Sequence, residues 1–376
     1  MSRLYFDHNA TSPLRPQVKD ALIEFIQTAY GNPSSIHSSG RAIRAKVDEA
    51  RECVAKLIGA KPLEIIFTSS GVEANHLAWN AFQMSGKKIA TTTTEHNCIR
   101  GAVVKAEVTG AIVHQIPIEC DGSISEKSVQ DLASFKPDFV SIHHANNETG
   151  TLYPIGSYSK LLRENACYIH SDAVQTIGKA GVNVTDLGVN YLSISGHKLG
   201  ALQGVGALYV KKGSPLKSLW PGGTQEKGMR SGTENVVGIV SMGAAAKTIL
   251  ENGPVEQQNV EKLRDSFEKG MLANIPGISI TAKNQTRIPN TSHIIFDNLD
   301  AESLLIAADL DHIDISTGSA CSSGALEPSK VVLAMGVDRE RAKGAVRFSF
   351  GWNTTQSDIE KALRILPKLV EQVRGS

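Results

Sequence analysis

Tyr168-Ile169-His170-Ser171-Asp172-Ala173-Val174-Gln175 places an acid where a strand should end, and Leu192-Ser193-Ile194-Ser195-Gly196-His197-Lys198 places a lysine likewise at the end of a neighbouring strand. The β-rich parts, Cys167 to His170 and Tyr191 to Ser195, read as buried strands with polar residues at their carboxyl ends. Five further runs share that texture: Glu64 to Thr68, Lys88 to Thr92, Ala111 to Ile116, Asp138 to His143 and Val205 to Val210. Helical stretches mostly alternate with them. Seven strands with interposed helices specify an α/β fold with a largely parallel, doubly wound sheet, where ligands gather beyond the carboxyl ends of the strands.

Working outward, Val18, Ala21, Leu22, Phe25, Ile26 and Ala29 keep helical spacing between Pro16 and Gly31, and a second helix runs from near Ser39 to Ile58 before Gly59. After the helical run Asn235 to Leu250, Glu251-Asn252-Gly253-Pro254 reads as a linker. The strand-like runs Ser292 to Phe296 and Val346 to Phe350, set among long helices, predict a smaller α+β domain. The expected division is a large domain of residues 15–250 and a small one of residues 1–14 and 251–376.

A length of 376 residues suits two domains. A net charge of +1, no basic block and 5% aromatic residues argue against direct nucleic-acid binding. No stretch reaches the roughly 18 uncharged apolar residues of a membrane span. An acid at Asp7, where a secretory peptide carries its apolar core, makes the cytoplasm the expected compartment. Five cysteines, an odd number without a C-x-x-C pair, point to a thiol acting singly rather than to disulfides or a zinc knuckle.

Several constellations carry possible chemistry. Phe67-Thr68-Ser69-Ser70-Gly71-Val72-Glu73 turns from strand to helix with capping-box spacing at Ser70 and Glu73, which makes either a phosphate seat or simply a well-capped helix. A Schiff-base lysine at Lys198 with a carboxylate at Asp172 is the pair that pyridoxal phosphate chemistry needs; the plain alternative is a surface ion pair. Ser195 and His197 beside that lysine weigh against the alternative by adding phosphate donors. His96, His143, His144 and His170 invite a test for a metal, but no His-x-x-x-His pattern accompanies them and no metal is expected. Ser316-Thr317-Gly318-Ser319-Ala320-Cys321-Ser322-Ser323-Gly324 reads as a mobile loop with a thiol at its tip. Arg347, alternating with apolar residues, is placed to clamp a carboxylate.

Together these motifs, with Asp7-His8-Asn9-Ala10-Thr11, Gly31-Asn32-Pro33-Ser34-Ser35 and Met229-Arg230-Ser231-Gly232-Thr233, resemble the pyridoxal-phosphate-dependent cysteine desulfurases of the class V aminotransferase superfamily over nearly the whole chain. The resemblance implies fold type I of the pyridoxal-phosphate transferases and a homodimer with active sites near the subunit interface. It implies that Lys198 bonds the cofactor and later carries protons, that Asp172 partners the pyridine nitrogen, that Gln175 donates to the phenolic oxygen and that His96 stacks on the ring and takes part in proton transfer. Ser195, His197 and the turn at Gly71 and Val72 match phosphate ligands, with Thr233 reaching in from the other subunit. Asn147 and Arg347 match the holders of the substrate carboxylate, and Cys321 the nucleophile that becomes a persulfide. The family usually has Thr at the position of Val72, so one hydroxyl contact to the phosphate is missing. The implied partners are L-cysteine and a sulfur acceptor such as an iron–sulfur scaffold or a tRNA-thiolation protein. Rival readings are a selenocysteine lyase, an aminotransferase in which Cys321 is incidental, and a non-catalytic scaffold that only docks sulfur acceptors.

Overall fold

The structure is a computed structural model, and it describes residues 3–81, 85–162, 166–317 and 327–375. Among them the strands, in chain order, are β1 (Leu4–Tyr5), β2 (Ile65–Thr68), β3 (Lys88–Thr92), β4 (Ile112–Ile116), β5 (Phe139–Ser141), β6 (Tyr168–Asp172), β7 (Tyr191–Ser195), β8 (Gly206–Val210), β9 (Ile278–Ile280), β10 (Thr291–Phe296), β11 (Ile313–Asp314) and β12 (Ala345–Ser349). All seven runs expected for the large sheet are strands of one sheet, in the order β2-β8-β7-β6-β5-β3-β4. The pairs from β7 through β6, β5 and β3 to β4 are parallel, whereas β8 lies antiparallel to both its neighbours.

Period-two alternation explains why both faces are covered. Ile65, Phe67, Leu192, Ile194 and Ala207 enter one apolar cluster with Val54, Ile239 and Met242. Their neighbours Ile66, Tyr191 and Leu208 enter another on the opposite face with Leu77, Ile99 and Val103. A third cluster joins Leu4 and Phe6 to Phe267, Phe296, Leu304, Phe348 and Leu366 around the antiparallel sheet β12-β10-β9. Because Val346 and Phe348 point into that cluster, Arg347 between them faces the other way, toward Asp7 and Asn147.

One expectation is overturned. Glu251 to Pro254 is no linker but lies inside a single helix, Val236–Asn274, which contains Pro254. Proline deletes one backbone donor and crowds the preceding turn. The helix nevertheless continues because its first half buries Ile239, Met242 and Ile249 in one cluster and its second half buries Val260, Phe267 and Met271 in another. Close packing helps to hold it: a Cβ on Gly243 would lie 2.6 Å from Ala50 Cα, so only glycine allows the approach of the helix Ser38–Leu57.

Candidate functional site

Strands β2, β3, β5, β6 and β7 run in one direction, so their carboxyl ends share one edge of the sheet. Asp172 closes β6 there, only 7% exposed, and Asn75 Nδ2 donates to its Oδ2 at 2.7 Å while Val174 N donates to Oδ1 at 2.9 Å. Burial pushes the Asp172 carboxyl up, and these two donors pull the other way. Among the described residues no lysine or arginine forms an ion pair with it. Asn75 also donates to Cys98 Sγ at 3.2 Å, which ties Asp172 to the start of the helix Asn97–Val108. His96 caps that helix, its Nδ1 accepting from Cys98 N at 3.2 Å, and its ring is exposed.

On the same edge, β2 turns into the helix Gly71–Trp79 with Ser70 as its N-cap, Oγ accepting from Glu73 N at 3.2 Å. The capping box expected at Ser70 and Glu73 is only half formed. Glu73 Oε2 accepts from Ser69 N at 2.7 Å and Oε1 from Arg230 Nε at 3.0 Å, so the acid fixes the segment before Thr233, itself exposed. A Cβ on Gly71 would come within 2.8 Å of Val174 Cγ2 and 3.2 Å of Ser195 Cβ. Gly206, whose added Cβ would lie 2.5 Å from the Ser70 carbonyl carbon, brings β8 equally close. Beyond Ser195, His197 Nδ1 meets Thr11 Oγ1 at 3.1 Å, and burial, reinforced by Lys198 and Lys179, pulls its pKa to about 4 and leaves the ring neutral at pH 7. Lys198 Nζ donates to the carbonyls of Asn9 and Ala10. Gln175 Nε2 donates to the Asn9 carbonyl at 3.0 Å.

Arg347 is buried against this edge, with Nη1 donating to the Asn147 carbonyl at 3.0 Å and Nη2 to Asp7 Oδ1 at 2.7 Å. Its Nε has no partner and is buried, so the guanidinium keeps donor capacity beyond Asp7. Two of the strand-end histidines have side-chain partners, whereas His144 Nδ1 is buried without a hydrogen bond. His143 Nδ1 pairs with Glu95 Oε2 at 3.2 Å, and His170 bonds Ser141 and Ser193 at 2.8 and 2.9 Å. Glu95 is raised by burial, but His143 and Thr92 outweigh that and hold it low. Among the described residues no group of three or more His, Cys, Asp or Glu gathers as a metal site, and Cys53, Cys98, Cys120 and Cys167 are free thiols. Cys321 lies outside the described residues.

The family profile for class-V aminotransferases matches residues 4–362. The chain belongs to that family. Its chain is 41% identical over 375 residues to a cysteine desulfurase IscS of Dictyoglomus turgidum, covering 99% of this chain and 95% of the relative. A cysteine desulfurase of Cereibacter sphaeroides is 39% identical over 380 residues, 100% of this chain and 97% of the relative. The solved structure of a NifS-like protein from Rickettsia africae superimposes with a TM-score of 0.90 at 33% identity, covering 98% of this chain and 99% of that one. This member of the class-V family is an enzyme, and its cofactor is pyridoxal 5'-phosphate.

The site fits that cofactor on two observations. Asp172 is a desolvated carboxylate that no lysine or arginine pairs with among the described residues, which leaves it to a protonated ring nitrogen. The cradle at Gly71, which any Cβ would fill, faces Ser195 at a helix N-terminus suited to a phosphate. Of the residues expected from sequence, Asp172, Gln175, Ser195, His197, Lys198, His96, Gly71, Val72, Asn147 and Arg347 lie along this one edge. Asn75, Lys179 and Asn9 were missed. Asn75 had a signal, four residues after Gly71 and so on the same helix face; for Asn9 the signal was a motif without an assigned task, and Lys179 lay in none of the quoted motifs.

Proposed function

We propose that the chain is a cysteine desulfurase that takes sulfur from L-cysteine, releases L-alanine and holds the sulfur as a persulfide on Cys321. The observation that carries this reading is the buried Asp172, without a lysine or arginine partner among the described residues, on the strand edge that also carries Lys198 and the glycine cradle, in a chain with full-length cysteine desulfurase relatives. Bound pyridoxal phosphate withdraws electrons from the substrate's α-carbon. Asp172 would keep its ring nitrogen charged, Gln175 would donate to its phenolic oxygen, and Gly71, Val72, Ser195 and His197 would hold its phosphate, with Thr233 supplied by a second subunit. Arg347 and Asn147 hold the substrate carboxylate, the guanidinium sharing itself with Asp7. Lys198 would move the proton at the α-carbon, and His96, whose ring is exposed at the same strand edge, would take and return a second.

The Cys321 thiolate then attacks the substrate sulfur. A sulfur–sulfur bond forms as the carbon–sulfur bond breaks, the bonding pair stays with carbon, and a proton completes alanine. One L-cysteine and one enzyme thiol thus become one L-alanine and one enzyme persulfide, with no external oxidant. The proposed acceptor is an iron–sulfur scaffold or a tRNA-thiolation protein, and the proposed compartment the cytoplasm, where thiols stay reduced. No helix among the described residues is long and apolar enough to cross a membrane. The division into residues 15–250, and 1–14 with 251–376, is part of the same proposal, supported by the separate apolar clusters of the two sheets.

Purified enzyme supplied with L-cysteine and a reductant, without any keto acid, should yield alanine and sulfide in equal amounts. Turnover that depends on an added keto acid makes the protein an aminotransferase, exclusive turnover of L-selenocysteine makes it a lyase for that substrate, and no turnover leaves only a scaffold; each outcome contradicts the reading.

A further inference from the structure

The segment Asp7-His8-Asn9-Ala10-Thr11 has almost no part in the chemistry above, yet Asn9 is 1% exposed and its bonding is saturated. Asparagine in a chain offers three N–H hydrogens and two oxygens with two lone pairs each. All seven positions are used. Toward the small sheet, Asn9 N donates to Ser349 Oγ at 2.9 Å, Nδ2 donates to Thr291 Oγ1 at 2.9 Å and Oδ1 accepts from Asn290 Nδ2 at 3.0 Å. Toward the large sheet, Nδ2 donates to the Asn147 carbonyl at 3.2 Å and Oδ1 accepts from Lys179 Nζ at 2.8 Å. The main-chain carbonyl accepts from both Gln175 Nε2 and Lys198 Nζ. Lys179 closes the ring of contacts, since its Nζ also donates to Gln175 Oε1 at 2.6 Å and thereby turns the Gln175 nitrogen toward Asn9.

We propose that Asn9 is a positioning residue: clasped between the two sheets by its side chain, it presents its carbonyl, beside that of Ala10, as the resting place of Lys198 Nζ whenever that amine is not bonded to the cofactor, and it fixes the Gln175 amide beside it. The inference rests on the roles proposed for Lys198 and Gln175. An amine that is released and recaptured in every turnover has many rotamers open to it, and a fixed acceptor within reach limits that search. The neighbouring amine does not disturb the arrangement. Burial, then Lys198 and Arg347, hold Lys179 well below the usual lysine range, so it bonds its two amide oxygens with little like-charge repulsion.

The test compares wild type, Asn9→Ala, which keeps the main-chain carbonyl but removes the side chain that clasps it, and, should that variant fail to fold, Lys179→Met, which releases only Asn9 Oδ1 and Gln175 Oε1. Apoenzyme is exposed to formaldehyde and cyanoborohydride, and methylation of Lys198 is followed by peptide mass spectrometry. Lys198 should react about tenfold faster in Asn9→Ala than in wild type, and less markedly faster in Lys179→Met, while surface lysines keep their rates; in the holoenzyme kcat should fall by about tenfold or more with KM for cysteine within about twofold. Unchanged Lys198 labelling and kcat in a folded variant overturn the inference. Borohydride reduction of wild-type holoenzyme separates the two levels: a pyridoxyl group on a lysine other than Lys198 overturns the underlying assignment, whereas a group on Lys198 with insensitive Asn9 variants overturns the positioning role alone.

Discussion

Burial pushes the Asp172 carboxyl up, while the donors Asn75 and Val174 and the charge of His96 favour its anion, which a protonated ring nitrogen would favour further. That is why its loss should be felt in turnover rather than in folding. Asp172→Ala should stay folded and bind the cofactor through the Gly71 turn and Lys198, with alanine production lowered by about 100- to 1,000-fold, as when one group aimed at developing charge is removed. Near-wild-type alanine production would refute the role. Glu148 offers a second test with a defined sign. Burial lifts its carboxyl to about 7, against the hydrogen bond from Ser329 and the nearby Arg347 and Arg100. A folded pKa above the unfolded one stabilises the protein fully at pH below the unfolded value, and that stabilisation fades as pH rises through about 7. Glu148→Gln keeps an oxygen for the Ser329 hydroxyl and removes the charge. By denaturant unfolding it should exceed wild type by up to about 3 kcal/mol at pH 8 and differ little at pH 5. The same difference at both pH values would contradict the account.

At the scale of elements, the Ser70-capped helix is the proposed seat of the cofactor's phosphate. Val72, the second residue of that helix, is 49% exposed and supplies a backbone N–H without a hydroxyl. Val72→Thr should tighten cofactor binding by threefold or more, roughly the worth of one added hydrogen bond, read by absorbance titration of the apoenzyme. Unchanged or weaker binding would show that the turn needs no hydroxyl. The elements themselves were legible wherever burial imposes a period. Ile65 to Thr68 and Tyr191 to Ser195 are buried throughout and mostly apolar because both faces of the sheet are covered. β1, β9 and β11 have two or three residues each, too few to show alternation. The helix across Glu251 to Pro254 was hidden for the opposite reason: Gly253-Pro254 is a local stop signal, and packing along both halves of the helix overrides it.

Across the whole molecule, chemistry-bearing types such as Lys198, Asp172 and Arg347 announced themselves, while the groups that aim them did not. Asn9 lies 281 residues from Asn290 and 340 from Ser349 in sequence, and no periodicity links such positions. The subunit arrangement is likewise a matter of surface. Tyr30, Ile36 and Trp220 are 78%, 90% and 53% exposed in the single chain, large apolar side chains that the proposed homodimer would cover. Sedimentation at micromolar concentration should give twice the chain mass; a monomer that still turns over cysteine would contradict the shared site at Thr233. The claim on which everything else turns is that sulfur passes from L-cysteine to one thiol of this chain. Peptide mass spectrometry after brief exposure to L-cysteine reads it directly. The account predicts an added mass of about 32 Da, one sulfur atom, on the peptide holding Cys321. That mass on Cys53, Cys98, Cys120 or Cys167 instead, or an unmodified Cys321→Ala rate of alanine release, would contradict it.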